Sequence, residues 1–451
     1  MTFARDHRLI VTLALALALA APAHAQPPPG RPAAPAPTAD PPPPSPTIQP
    51  AQASQPITFR DAIRRAIAHN PDRLTALAEI DRVRGLLAQA TSALLPQVHL
   101  QGMYTRIEGD RFVGMNRSDA ANSVAARLTV DTPIVDLRAI AERKRARDTV
   151  DVTAADADAV KRAVAIATAR AYFAALSSGQ LLLSAIRARD TARAHVEYSR
   201  ARRVANVGTE LDLSRDESEL ATTEAQVASA TIARLRAEEA LGVIIGADQP
   251  LAPSDDPDLG EPRAGDGITA RADVSAARER TAAAVWSRDH DWTDWTPSLH
   301  LNGDGFLDAP QIDPIPRLGY QLVLTLDMPL YDGGFRHGAH AQHLALEAEA
   351  HINEANIDRQ ASSDVRIARA AVADARAARD AAKLAADKAA HTLDLATIGY
   401  KAGTATGLEV VDAQRVALDA ATQAVIAADD FRQAELDLLA ATGAFPGRDR
   451  S

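Results

Sequence analysis

Apolar residues recur along most of this chain at every third or fourth position, and in two places that period collapses to two. The first helical stretch opens at Thr58, which can cap it with Asp61 three residues on. Its apolar face runs through Ile63, Ile67, Leu74 and Leu77 until Leu94-Leu95-Pro96 stops the pattern. Between Pro96 and Pro133 the alternation is that of a strand pair. Val98, Leu100, Gly102 and Tyr104 alternate with His99, Gln101, Met103 and Thr105. On the return, Val124, Ala126, Leu128 and Val130 alternate with Ala125, Arg127, Thr129 and Asp131. From Asp136 to about Arg203 there is then no proline, and Gly179 is the only glycine. At 1.5 Å per residue, about 65 residues make a rod of roughly 100 Å, too long for one globular core, so it projects as a coiled coil.

The same succession runs again about 200 residues later. Leu95-Pro96-Gln97-Val98-His99-Leu100-Gln101-Gly102 returns as Thr296-Pro297-Ser298-Leu299-His300-Leu301-Asn302-Gly303. Leu128-Thr129-Val130-Asp131-Thr132-Pro133 returns as Leu324-Thr325-Leu326-Asp327-Met328-Pro329, and Gly208-Thr209 is echoed by Gly403-Thr404. In the second strand pair Leu299, Leu301 and Leu307 oppose His300, Asn302, Asp304 and Asp308. Tyr320, Leu322, Leu324, Leu326 and Met328 oppose Gly319, Gln321, Val323, Thr325 and Asp327. The second long helix runs from Gly334 to about Gly399, with a 3-4 spaced seam through Val365, Ala368, Val372, Ala375, Arg379, Ala382, Ala386, Ala389, Leu393, Ala396 and Tyr400. Units of this length exceed solenoid repeats of about 20 to 50 residues, and they predict a duplicated fold half.

Boundaries follow from composition. Arg5 and Arg8 before the apolar run Leu9 to Ala20, with Ala23-His24-Ala25 after it, predict a secretory signal over 1–25. Its removal takes two Arg and one Asp from a net charge of −10, leaving −11. A Pro-rich, disordered linker is expected over 26–56, the first repeat over 57–246 with its strand pair at 97–132, and an inter-repeat linker over 247–267. The second repeat follows over 268–446 with its strand pair at 298–331, and a tail over 447–451. The absence of cysteine excludes disulfides. The acidic balance, interspersed along the helices, argues against nucleic acid as a partner.

Strands with one apolar and one polar face fit an outer-membrane barrel, although two hairpins on a soluble core would alternate in the same way. In a barrel, Arg127, Thr129, Asp131, Gln321, Thr325 and Asp327 would face the lumen. Four strands cannot close alone, since the smallest barrel needs about eight. Several copies must therefore share one ring. The competing reading is a soluble periplasmic or surface coiled-coil scaffold without channel activity. Other chemistry is sparse. His337, His340 and His343 spread over about 120° of helix arc, too wide for convergent metal ligands. Asn302-Gly303-Asp304-Gly305 lacks the remaining carboxylate spacing of a calcium loop. Trp286, Trp292 and Trp295 precede the third strand, as an interfacial belt or as a helix junction. No catalytic triad, phosphate loop or cofactor motif stands out, which points away from an enzyme.

Several motifs in this order resemble those of the TolC-like outer-membrane efflux proteins over nearly all of residues 57 to 446. They are Ala68-His69-Asn70-Pro71-Asp72, Leu94-Leu95-Pro96, Pro329-Leu330-Tyr331-Asp332-Gly333-Gly334, Tyr400-Lys401-Ala402-Gly403-Thr404 and Glu409-Val410-Val411-Asp412-Ala413. The resemblance implies an α+β membrane protein, a homotrimer sharing a twelve-stranded barrel and a long α-helical coiled-coil tunnel. It further implies a passive exit duct for tripartite efflux or type I secretion, docking to a periplasmic adaptor and an inner-membrane transporter and seated in outer-membrane lipid. Glu409 and Asp412 match acids that ring the tunnel's periplasmic end, and Tyr400 matches a residue of the lock between coils. The chain departs from the pattern at Ala405, where relatives carry Arg, and at Ser214, where a carboxylate partner is expected. That leaves Glu210 or Asp212 to rebuild the lock. Leu137-Arg138 also replaces the Gly-Gly that follows Asp332.

Overall fold

The computed structural model describes residues 54–106, 111–113, 116–118, 122–260, 268–309 and 317–445. The expected signal segment, nearly all of the Pro-rich linker and the C-terminal tail lie outside the described residues.

Strand β1, Gln55–Ile57, leads into α1, Phe59–His69, which Thr58 caps by accepting from the amide of Asp61. The single helix expected up to Leu95 is in fact two, because α2 spans Pro71–Ser92. Proline restricts the residue before it to extended backbone, and Asn70 obeys with φ −63° and ψ 131°. Its side chain then caps α2 by accepting from the amides of Asp72 and Arg73. The same side chain donates to the carbonyl of Ile244 at 2.9 Å, which fixes the bend against the rest of the fold.

Strand β2, Gln97–Arg106, precedes the short antiparallel pair β3, Arg111–Val113, and β4, Asn116–Ser118, and then the long β5, Asn122–Val135. Helix α3, Leu137–Val204, and helix α4, Glu210–Ile245, complete the first half. Strand β6, Leu251–Pro253, and helix α5, Ala272–Asp289, lead to β7, Ser298–Ala309, and β8, Leu318–Asp327. Helices α6, Phe335–Ala402, and α7, Gly407–Ala441, close the chain. Helices α3 and α6 are each 68 residues long, rods of about 100 Å.

The two stretches read as linkers meet. β1 and β6 pair in parallel, Gln55 opposite Leu251 and Ile57 opposite Pro253. They lie against the middle of α3, where the aromatic core gathers. Phe59 stacks on Phe173 at 5.4 Å and meets Tyr172 edge-on at 5.3 Å, with Phe445 closing the cluster at 6.4 Å. The Tyr172 hydroxyl, which burial and Asp255 make a weaker acid, bonds the backbone of Ile57 and the side chain of Asp255. Away from this belt the walls are thin. On α6 all eleven seam positions from Val365 to Tyr400 turn inward, and Arg379 lays its guanidinium 4.1 Å over the Phe431 ring of α7. Ile367, Leu384, Leu395 and Ile398 lie on the opposite side of the helix and stay exposed.

The four long strands form one sheet in the order β2-β5-β7-β8. The two hairpins expected from sequence are thus joined through β5 and β7. Directly opposed residues share a face, and the register puts every expected apolar position on the same side. Val98, Val130, Gly303 and Leu322 form one such row, and Leu100, Leu128, Gly305 and Tyr320 the next. Among the described residues no layer covers this face: Leu100 is 78% exposed, Tyr320 83% and Leu322 69%. Among the described residues no helix is long and apolar enough to cross a membrane.

Candidate functional site

The six residues expected to face a lumen all stand on the other side of the sheet. Thr129 lies opposite His99 and Asp304, and Asp304 opposite Gln321. Asp131 lies opposite Gln97 and Asn302; Thr325 opposite His300; Asp327 opposite Ser298. Side chains bridge the strands: Gln321 donates to Asp304 at 3.1 Å, Asn302 donates to Thr325 at 3.1 Å, and His300 lies 3.3 Å from Asp131. Arg127 shares its row with Gln101, Phe306 and Gly319. Phe306, an apolar residue on this polar face, lies across Gly319 so closely that a Cβ there would run into the ring. Asn302-Gly303-Asp304-Gly305 is ordinary strand within β7, so its polar side chains serve cross-strand bonding.

Where strands pass into helices the two halves differ. Gly333 and Gly334 adopt φ of 69° and 95°, a left-handed turn that suits glycine, and Asp332 accepts from the amides of Gly334 and Arg336. In the first half β5 continues to Val135, with a shift of register after Pro133, and Asp136 caps α3 directly, so Leu137-Arg138 needs no such turn. At this junction Trp286 stacks on His290 at 4.1 Å, while Trp295 lies 5.2 Å from His337 and 4.0 Å under the Arg336 guanidinium. Trp292 is 54% exposed. The three histidines diverge in role: His340 and His343 both engage the buried carboxylate of Asp291, and His337 turns to Trp295. Among the described residues no group of three or more His, Cys, Asp or Glu is placed to hold a metal ion.

At the far end of the coils, Gly403 ends α6 in a left-handed cap and Thr406 starts α7. Glu409 completes a capping box, its carboxylate accepting from the Thr406 amide at 2.7 Å. Asp412, one turn on and also exposed, accepts from Arg415 at 2.9 Å. Both carboxylates thus carry local duties, yet they remain in solvent beside one another at the tip.

Tyr400 is buried, and its partners are not those expected. Glu210 pairs with Arg203 at 2.7 Å within its own coil, Asp212 accepts from Thr209, and Ser214 is exposed. Instead the Tyr400 hydroxyl lies 3.4 Å from Ser199 Oγ, and Ser199 donates to the buried carboxylate of Asp216. The Tyr198 ring meets Tyr400 edge-on at 5.5 Å, and the Arg202 guanidinium sits 5.0 Å over the Tyr400 ring. Burial pushes the Asp216 carboxyl up, against the Ser199 hydrogen bond and the nearby His195. Burial likewise pushes the imidazole of His195 down, with Asp216 opposing. Ser199, Asp216 and His195 look like ordinary helix-surface polar residues in the sequence. They are buried here because the coil α3–α4 meets the coil α6–α7 at this level.

The model of a family described as outer membrane efflux protein matches residues 62–247 and 267–444. Among curated protein sequences none matches. Among solved structures, the outer membrane protein VceC of Vibrio cholerae superposes with a TM-score of 0.72 at 19% identity, over 85% of this chain and 96% of that one. The CmeC outer membrane channel of Campylobacter jejuni gives 0.74 at 16% identity, over 87% of each chain. The MtrE outer membrane channel of Neisseria gonorrhoeae, in its open state, gives 0.72 at 21% identity, over 85% of this chain and 88% of that one.

Proposed function

We propose, from the premise that this chain belongs to the outer membrane efflux protein family, that three copies build one conduit gated at its periplasmic tip. The protein is an outer-membrane efflux channel of the Gram-negative envelope that extends into the periplasm. The observation that carries the shared barrel is the four-stranded sheet, bare on its apolar face and open at β2 and β8; the number three follows the family. Lipid tolerates an apolar face but not unpaired strand edges. Edge β8 of one copy therefore pairs with edge β2 of the next, and three copies of four strands make a ring of twelve. The face bearing Arg127, Thr129, Asp131, Gln321, Thr325 and Asp327 then lines the lumen. A soluble scaffold would leave Leu100, Tyr320 and Leu322 in water, an apolar patch that such a protein rarely tolerates.

Below the barrel the four long helices of each copy continue the wall, with Ile367, Leu384, Leu395 and Ile398 facing the neighbouring coil. Threefold symmetry gathers Glu409 and Asp412 into rings around the axis, which attract cations and oppose anions. Tyr400, held through Ser199 and Asp216, latches the two coils of each copy in the closed state. Transport needs an energy source elsewhere, so a periplasmic adaptor and an inner-membrane transporter load the duct, which performs no chemistry of its own.

Planar-bilayer conductance tests this reading. Glu409→Gln combined with Asp412→Asn neutralises the acids while a glutamine can still close the capping box. The wild type is expected to be cation-selective and the double variant to lose that preference. Unchanged selectivity would remove the acidic gate and leave the duct. Protein that stays soluble without detergent and forms no channel would overturn the duct itself.

A further inference from the structure

Between the two coils, on the barrel side of the Tyr400 latch, lies a cavity of about 150 Å³. Its wall draws on all four long helices of one chain, α3, α4, α6 and α7, so no second copy is needed to form it. It exists because small residues face each other across the coils: Ala188 and Ala192 on one side, Ala417 and Ala421 on the other. A void this size accepts a benzene-sized ring.

The polar groups at its wall are the Arg187 guanidinium, three hydroxyls, Gln414 and Glu219. The hydroxyls of Ser184, Thr191 and Thr223 already donate to carbonyls of their own helices. Gln414 is different: its side-chain Nε2 is buried and donates to nothing among the described residues. Glu219 is the second exception. Burial raises its carboxyl, and Arg415 only partly offsets this. A buried amide donor without an acceptor costs free energy, as does a desolvated carboxylate whose cations do not fully offset its burial. One molecule could satisfy both.

We propose that this cavity binds a small arylalkylamine bearing a hydroxyl: the ring fills the alanine-lined space, the hydroxyl accepts from Gln414, and the ammonium pairs with Glu219. Such a ligand touches α3 and α4 on one side and α7 on the other. Glu219 lies three residues past Asp216, and Ala192 three before His195, so the occupied cavity sits within about a turn of the latch. Occupancy ties the coils together and holds the tip closed; this consequence, unlike the binding itself, rests on the gating proposed above.

The test uses 2-amino-1-phenylethanol as the probe, titrated calorimetrically into the full-length protein in detergent. Saturable binding is expected in the wild type. Glu219→Gln should weaken it about tenfold, the loss of one charge-assisted contact. Ala417→Leu should abolish it by filling the space, with circular dichroism and oligomer mass unchanged. No saturable binding to the wild type, or equal binding to wild type and Glu219→Gln, overturns the site. If Ala417→Leu does not fold, Glu219→Gln alone decides. Conductance measured with the probe separates the two layers: binding without any fall in current keeps the site and removes only its effect on the tip.

Discussion

His195 shows how burial, rather than residue type, sets behaviour at single positions. Its imidazole is held below the ordinary value of 6.5, chiefly by desolvation, with Lys401 adding repulsion and Asp216 opposing. The packed tip therefore prefers the neutral ring. Its contribution is complete above pH 6.5 and is lost as pH falls through the lowered value. Asp216 runs the other way: its raised carboxyl contributes most below 3.8 and loses that contribution as pH rises through its folded value. Hydrogen exchange across the tip, followed from about pH 7 to about pH 5 with His195→Gln as the control, tests the histidine. Corrected for the intrinsic slowing of exchange in acid, protection should fall more in the wild type than in His195→Gln; equal falls would show that the imidazole takes no part. Gly319 offers a second residue-level test. Phe306 lies where a side chain would begin, so Gly319→Ala must displace the ring or the strand, at a cost of about 1–3 kcal/mol. A lowered thermal midpoint for the folded oligomer checks it.

Among the elements, legibility in the sequence followed periodicity. The four strands and the α6 seam were readable because each sets contrasting faces at a fixed period, and the structure uses those faces with one shift of register, between Pro133 and Val135 at the end of β5. The break at Asn70 was masked by Ile67 and Leu74, which keep one apolar face in phase across Pro71. β1 and β6 were invisible for another reason: three residues each, with Pro56 and Pro253 among them, carry no period at all. The Ser199–Asp216 contact joins different helices, and nothing in either local pattern marks it as buried. Gly333-Gly334 was recognised as a motif, and its reason is backbone geometry. Gly334→Ala should destabilise the turn into α6 by about 1–2 kcal/mol, since an L side chain resists φ of 95°. Arg138→Gly at the matching first-half position should give no comparable gain, because α3 starts there from a strand without a left-handed residue. Thermal unfolding of the two variants in detergent distinguishes them.

At the scale of the whole molecule, an aromatic-lined belt midway along α3 gathers a compact core among the described residues, and the long helices beyond it form wall. That division explains the sparse aromatic content, 4% of residues, and the many exposed apolar side chains of a single copy. It also predicts behaviour on extraction. Native mass in detergent should correspond to three chains, and removing detergent should precipitate the protein rather than release monomers. A stable monomer in buffer alone would contradict the shared barrel.

The open edges of the sheet carry a genetic consequence. A copy whose β8 edge cannot be read by its neighbour, yet whose β2 still can, would enter a ring and prevent its closure. Such an allele would act dominantly. With equal synthesis of sound and damaged copies, random mixing in threes leaves only about one ring in eight free of damage. Loss of efflux in a merodiploid strain would then far exceed the half expected from dosage.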